Sequence, residues 1–119
     1  MTTVKVDDLL VVDWEANRRL AGNQADLGDD MLTLLIKSLT NELAAINQFY
    51  QKENYIGMHA SVHKLRGAVA YCGTPRLQAV LAALESTLLK NEKLPAVSGL
   101  MTQLTSEAAL LKKNCSGCG

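Results

Sequence analysis

Aromatic residues are scarce in this sequence, at 4% of 119 residues, with one Trp, one Phe and three Tyr. Strands draw on aromatic and β-branched side chains, whereas Leu and Ala dominate here, which favours helices. Charge of one sign is also missing, since 12 Lys+Arg stand against 12 Asp+Glu. Without a basic excess or a polybasic run, neither nucleic acid nor a membrane surface is an expected partner. No apolar run approaches the roughly 18 residues that a bilayer span requires. The start, Met1 to Asp8, sets two acids before the apolar Leu9-Leu10-Val11-Val12 and lacks the shape of a signal peptide. Three cysteines, an odd number, do not make a disulfide framework, and a reducing cytoplasm is the simplest setting. Neither G-x-x-x-x-G-K-[ST] nor G-x-G-x-x-G occurs, so no ATPase or ATP-dependent kinase activity is expected of this chain.

What is present is helical punctuation and helical period, at a length suited to one domain. Residues 1–12 read as an N-terminal extension or linker, although Leu9 to Val12 could also pack on the domain. Asp13 is a candidate N-cap for a short helix over about 14–21, with Trp14 and Leu20 expected in the core and Gly22-Asn23 as its breaker. A long helix over about 28–51 follows, with Asp29 and Asp30 in its first turn and a stripe of Leu32, Leu35, Ile36, Leu39, Leu43, Ile46 and Tyr50. Asn54 then caps a helix running to about residue 72, ended by Gly73. Thr74-Pro75 is a strong start for a helix over about 75–90 that buries Leu77, Val80, Leu81, Leu84 and Leu88. A turn from Asn91 leads to Pro95 and a last helix to about 113, with Val97, Leu100, Leu104, Ala108 and Leu111 on its stripe. The predicted fold is all-α: an up-down four-helix bundle over 13–113, with a short additional N-terminal helix and a flexible tail over 114–119.

One residue falls out of phase with its stripe. The helix over 54–72 places Tyr55, Met58, Val62, Leu65, Val69 and Cys72 on one face. At about 100° per residue, that face centres roughly 150° from His63. The imidazole is therefore expected in solvent, among His59, Ala60, Arg66, Gly67 and Ala70, with nothing bulky over it. Gly67 is mid-helix, where glycine costs roughly 1 kcal/mol relative to alanine. Close helix packing does not account for it, because it lies away from the stripe. Room for an approaching partner backbone does. Lys64 and Arg66 bring positive charge: arginine holds phosphoryl oxygens bidentately and lysine acts as a point charge; for Lys64 a solvated helix surface is the favoured reading, whereas for Arg66, on the same face as His63, function is put ahead. In an antiparallel hairpin turning near Gly73-Thr74, residue 63 lies level with about residue 84, which brings up Glu85. A carboxylate on one ring nitrogen fixes the tautomer and leaves the other as nucleophile; a plain helix-edge glutamate is the competing reading.

Together these residues resemble the signature of histidine-containing phosphotransfer domains. His63-Lys64-Leu65-Arg66-Gly67-Ala68 is similar to H-x-L-K-G-[SA]; Cys72-Gly73 and Leu77 follow as the small-residue turn, and Leu84-Glu85 as the closing L-E. The similarity covers about residues 13–112, and Tyr71 to Leu77 further resembles the C-terminal module of BarA/GacS-type hybrid sensor kinases. The resemblance implies a four-helix bundle that shuttles a phosphoryl group between receiver-domain aspartates through His63. It implies a reacting set of His63, Lys64, Arg66, Gly67 and Glu85 and a docking face of His59, Ala60, Gly67 and Ala70. Arg66 stands where the family usually has lysine, which keeps the charge and changes its shape, so Lys64 shares the electrostatic role. The implied partners are the receiver domain of a hybrid kinase and a response regulator. Mg²⁺ is then expected on the partner receiver and no cofactor in this domain. The expected location is the cytoplasm, even where a parent chain is anchored in the inner membrane.

Weaker patterns remain. His59 and His63 are an i, i+4 pair that could share a metal, but no H-E-x-x-H or third ligand in phase accompanies them. Cys115 and Cys118 form a C-x-x-C, at best half of a zinc site, and an oxidation-prone tail is favoured. Cys72 reads as core packing. The alternative function is a non-catalytic helical adaptor that binds a receiver or partner helix.

Overall fold

Side-chain caps set the start of two helices of the computed structural model, a proline sets that of a third, and helical period decides which faces are buried. The structure describes residues 3–90 and 94–114, and among these it forms five helices and no strand: α1 (Trp14–Leu20), α2 (Ala25–Gln51), α3 (Tyr55–Val69), α4 (Pro75–Leu89) and α5 (Leu94–Asn114). The expected caps form at Asp13, whose side chain accepts from the Ala16 N–H, and at Asn54, which accepts from the Gly57 N–H, each at 3.0 Å. Thr74 takes the N-cap position before Pro75 but makes no side-chain capping bond, so the proline is the effective start signal there. The turn predicted from Asn91 and the tail with Cys115 and Cys118 lie outside the described residues.

The helices pack in chain order, α2 on α3, α3 on α4, α4 on α5, and α5 back on α2, which closes an up-down bundle. Its core holds every stripe residue predicted for α4 and α5, along with Met58, Val62, Leu65 and Val69 of α3, and Leu32, Leu35, Leu39 and Ile46 of α2. Ile36, Leu43, Tyr50 and Tyr55 pack against this core half-buried. The helix bearing His63 ends at Val69, earlier than expected, and Cys72 reaches the core from the turn beyond it.

The short helix corrects the sequence expectation. Trp14 is 37% exposed, with the Arg18 guanidinium 5.6 Å from its ring centre, and Leu20 is exposed as well. The side of α1 turned inward carries Asn17 and Ala21 instead. Asn17 is completely buried, and its amide donates to the Gly28 carbonyl of α2 at 3.1 Å and to the Cys72 carbonyl in the α3–α4 turn at 2.9 Å. The Cys72 carbonyl lies in a turn where no backbone donor reaches it, which is why a polar side chain displaces apolar ones here; the Gly28 carbonyl, already within α2, takes the second amide hydrogen. The same turn brings the Gly73 carbonyl to the Asp13 N–H at 2.8 Å, with Gly73 at φ +71°. A β-carbon on Gly73 would sit 2.8 Å from both the Asn17 nitrogen and the Asp13 oxygen.

The N-terminal stretch also packs down. Val6 is buried, Val4, Val11 and Val12 lean on the core, and the Gln103 amide of α5 exchanges two hydrogen bonds with the Val4 backbone. Gly73→Ala is expected to lower stability by roughly 1–3 kcal/mol, because left-handed backbone and a backbone clash coincide there. A shift of the urea midpoint to lower denaturant, with His63 accessibility unchanged, checks this.

Candidate functional site

His63 lies in the middle of α3, on the side away from Val62 and Leu65, and its side chain is 71% exposed. Across the α3–α4 seam, α4 buries Leu81, Leu84 and Leu88, which turns the adjacent Glu85 towards α3. Glu85 is 4% exposed, far more buried than an edge glutamate. A buried carboxylate must be paired or neutralised, and two partners from α3 pair this one. His63 Nδ1 lies 2.5 Å from Glu85 Oε2, and the Arg66 guanidinium donates to Oε1.

Burial by itself would raise the Glu85 pKa. The hydrogen bonds from Arg66 and His63, with their charges, outweigh it and hold the carboxyl below its ordinary value of 4.5. An ionised carboxylate only accepts, so Nδ1 of His63 carries the proton that faces it. The lone pair is thereby left on Nε2 of an exposed ring.

The remaining candidate residues fall around this centre. His59 lies one turn before His63, with its ring stacked at 6.2 Å between centroids and 16° between planes. Its Nε2 is buried and points to the same Glu85 oxygen at 3.6 Å, beyond hydrogen-bond distance. Lys64 is well exposed and lies 4.0 Å from Glu42 of α2, a weak surface pairing. Gly67 and Ala60 are exposed and Ala70 is half-buried. A β-carbon built on Gly67 meets nothing within 4 Å, so the fold itself gives no reason for glycine there.

The structure thus brings His63, Glu85, Arg66 and His59 into one cluster and sets Lys64 and Gly67 beside it. Sequence reasoning gave Arg66 to phosphoryl oxygens, whereas its guanidinium is engaged with Glu85. It also missed the approach of His59 to that carboxylate. The signal was available: residues 59, 63 and 66 share one helix face, and that face meets Glu85 once the hairpin register is set. Among the described residues, no three His, Cys, Asp or Glu side chains are grouped to hold a metal ion.

An exposed imidazole on a helical bundle, anchored by a buried acid from the next helix, is the centre of this site, and comparison with known proteins supplies the class of module that carries it. The family model described as Hpt domain matches residues 30–114, and the chain belongs to this family. It is 39% identical over 93 residues to the sensor histidine kinase GacS of Pseudomonas protegens, and 33% identical over 107 residues to the sensor protein GacS of Pseudomonas syringae pv. syringae. These alignments cover 78% and 86% of this chain but only 10% and 12% of those proteins, so the chain spans about a tenth of their length. The crystal structure of the HPT domain of a Shewanella sensor hybrid histidine kinase superposes with a TM-score of 0.73 at 26% identity, covering 90% of this chain and 95% of that one. No helix among the described residues is long and apolar enough to cross a membrane.

Two outcomes follow from this geometry. The folded-state pKa of Glu85 is depressed, so its contribution to stability is fully present above pH 4.5 and is lost as pH falls through the folded value. Urea midpoints should therefore drop below pH 4.5 more steeply in the native protein than in Glu85→Gln. Gly67→Ala should raise stability by about 0.5–1 kcal/mol, since an exposed mid-helix glycine gains from a β-carbon that meets nothing. Thermal or urea denaturation reads this directly.

Proposed function

We propose that this chain is a phosphorelay carrier, in which His63 takes a phosphoryl group from the aspartyl phosphate of a receiver domain and passes it to the aspartate of a response regulator. The observation that carries the reading is the pairing of an exposed imidazole with a buried, ionised carboxylate on its Nδ1. In the forward step the Nε2 lone pair of His63 attacks phosphorus, the bond from phosphorus to the aspartate oxygen breaks, and the aspartate leaves with that electron pair. The Nδ1 proton stays on the ring, and Glu85 stabilises the positive charge that develops there. Return of the phosphoryl group to a second aspartate runs the same atoms backwards.

Phosphoryl transfer demands mostly positioning and charge neutralisation. The receiver supplies Mg²⁺ and the acidic pocket, and this domain supplies the nucleophile and no cofactor of its own. Lys64, exposed and only loosely paired with Glu42, adds cationic charge beside the transferred group. Arg66 contributes by keeping Glu85 ionised and in place. Ala60, Gly67 and Ala70, with His59, form the low-relief surface on which the receiver seats. Membership in the Hpt domain family and similarity to sensor kinases support the assignment to two-component signalling. The cytoplasm is the compartment where such a relay would run.

The test uses a receiver domain charged with acetyl phosphate in Mg²⁺ and mixed with this protein. Acid-labile, base-stable phosphate is expected on His63 and none on His63→Gln; equal labelling of the two ends the reading, as does stable binding without phosphate transfer. Glu85→Gln should still label, but roughly 100-fold more slowly, since the ring loses its fixed tautomer and orientation.

A further inference from the structure

The carrier reading gives His59 a place on the receiver-facing surface and leaves its approach to Glu85 unexplained. His59 stacks almost parallel to the His63 ring, its Nε2 is buried without a hydrogen-bond partner, and that atom faces Glu85 Oε2 at 3.6 Å. A bare lone pair aimed at an ionised carboxylate is repelled, so the tautomer that fits carries its proton on Nε2. Oε2 then has two N–H groups directed at it, one from each histidine, while Arg66 holds Oε1.

The arrangement matters because Arg66 presents a planar fork that can take both oxygens of a carboxylate. A carboxylate rotated into that fork would withdraw Oε2 from His63 Nδ1. The ring would then lose its anchor, and its two tautomers would mix. At 3.6 Å the His59 N–H makes no hydrogen bond, but its dipole attracts Oε2 across a buried gap and so opposes that rotation.

We propose that His59 is a positioning residue for phosphoryl transfer, acting through Glu85: its Nε2–H keeps Oε2 beneath His63 Nδ1, and so keeps Nε2 of His63 aimed outward as the nucleophile. This deepens the carrier reading and rests on it. His59 touches neither the phosphoryl group nor the receiver aspartate in this role.

Three variants separate the donor from the stacked ring. His59→Ala removes both, His59→Phe keeps the stacking, and His59→Gln keeps an N–H donor. Phosphoramidate serves as the phosphoryl donor without any partner protein: its P–N bond breaks, ammonia leaves, and the phosphoryl group joins Nε2 of His63. Labelling is followed by ³¹P NMR, and long-range ¹H–¹⁵N spectra report which nitrogen of His63 carries the proton.

His59→Ala and His59→Phe are expected to label about tenfold more slowly and to lose part of the Nδ1–H population of His63, while His59→Gln stays near the native protein in both. Native rates and tautomer in all three variants would overturn the proposal, as would loss in the Gln variant with retention in the Phe variant. Those results leave the carrier reading standing, because the native protein still labels at His63. Absence of label on His63 in the native protein would instead remove the carrier reading, and this inference with it.

Discussion

The buried carboxylate of Glu85 is the constraint around which the site is arranged. It comes from α4, its partners come from α3, and a charge this deeply buried is tolerated only while both oxygens are occupied. Replacing such a cluster with apolar side chains of similar volume is often neutral for stability. Its value here is chemical. The ionised acid dictates which nitrogen of His63 holds the proton, and the leucines of α4 fix the acid. The bundle core thereby sets the direction in which an exposed imidazole points.

Positive charge divides between two tasks. Arg66 is spent on Glu85, facing inward, whereas Lys64 stays in solvent beside Glu42. A guanidinium suits the buried acid because it bonds an oxygen in a fixed plane, whereas the ammonium of Lys64 is a mobile point charge on the surface.

The sequence was most legible where one period dominates. Leu77, Val80, Leu81, Leu84 and Leu88 repeat at helical spacing and are all buried, and His63 was recognisable because it lies out of phase with Val62 and Leu65. Glu85 followed from hairpin register, but its depth did not, because register gives level and not burial. The partner of Arg66 was also hidden: periodicity assigns a face, and only packing decides what that face meets. Helix α1 misled for a different reason. Hydrophobicity favoured Trp14 and Leu20, yet the Cys72 carbonyl in the α3–α4 turn needed a donor and Asn17 filled the interior position. The stretch before Asp13 could not be placed because what holds it, the burial of Val6 in the core and the pairing of Val4 with Gln103, comes from parts of the chain far away in sequence.

His63 stands eight residues after Tyr55 and six before Val69, near the middle of α3. Helix ends fray on fast timescales, while central turns open only with larger unfolding events. The imidazole is thus carried by the least mobile part of its helix, with Met58, Val62, Leu65 and Val69 pinning the opposite side. A side chain held in this way has little ordering entropy left to surrender when another molecule binds over it.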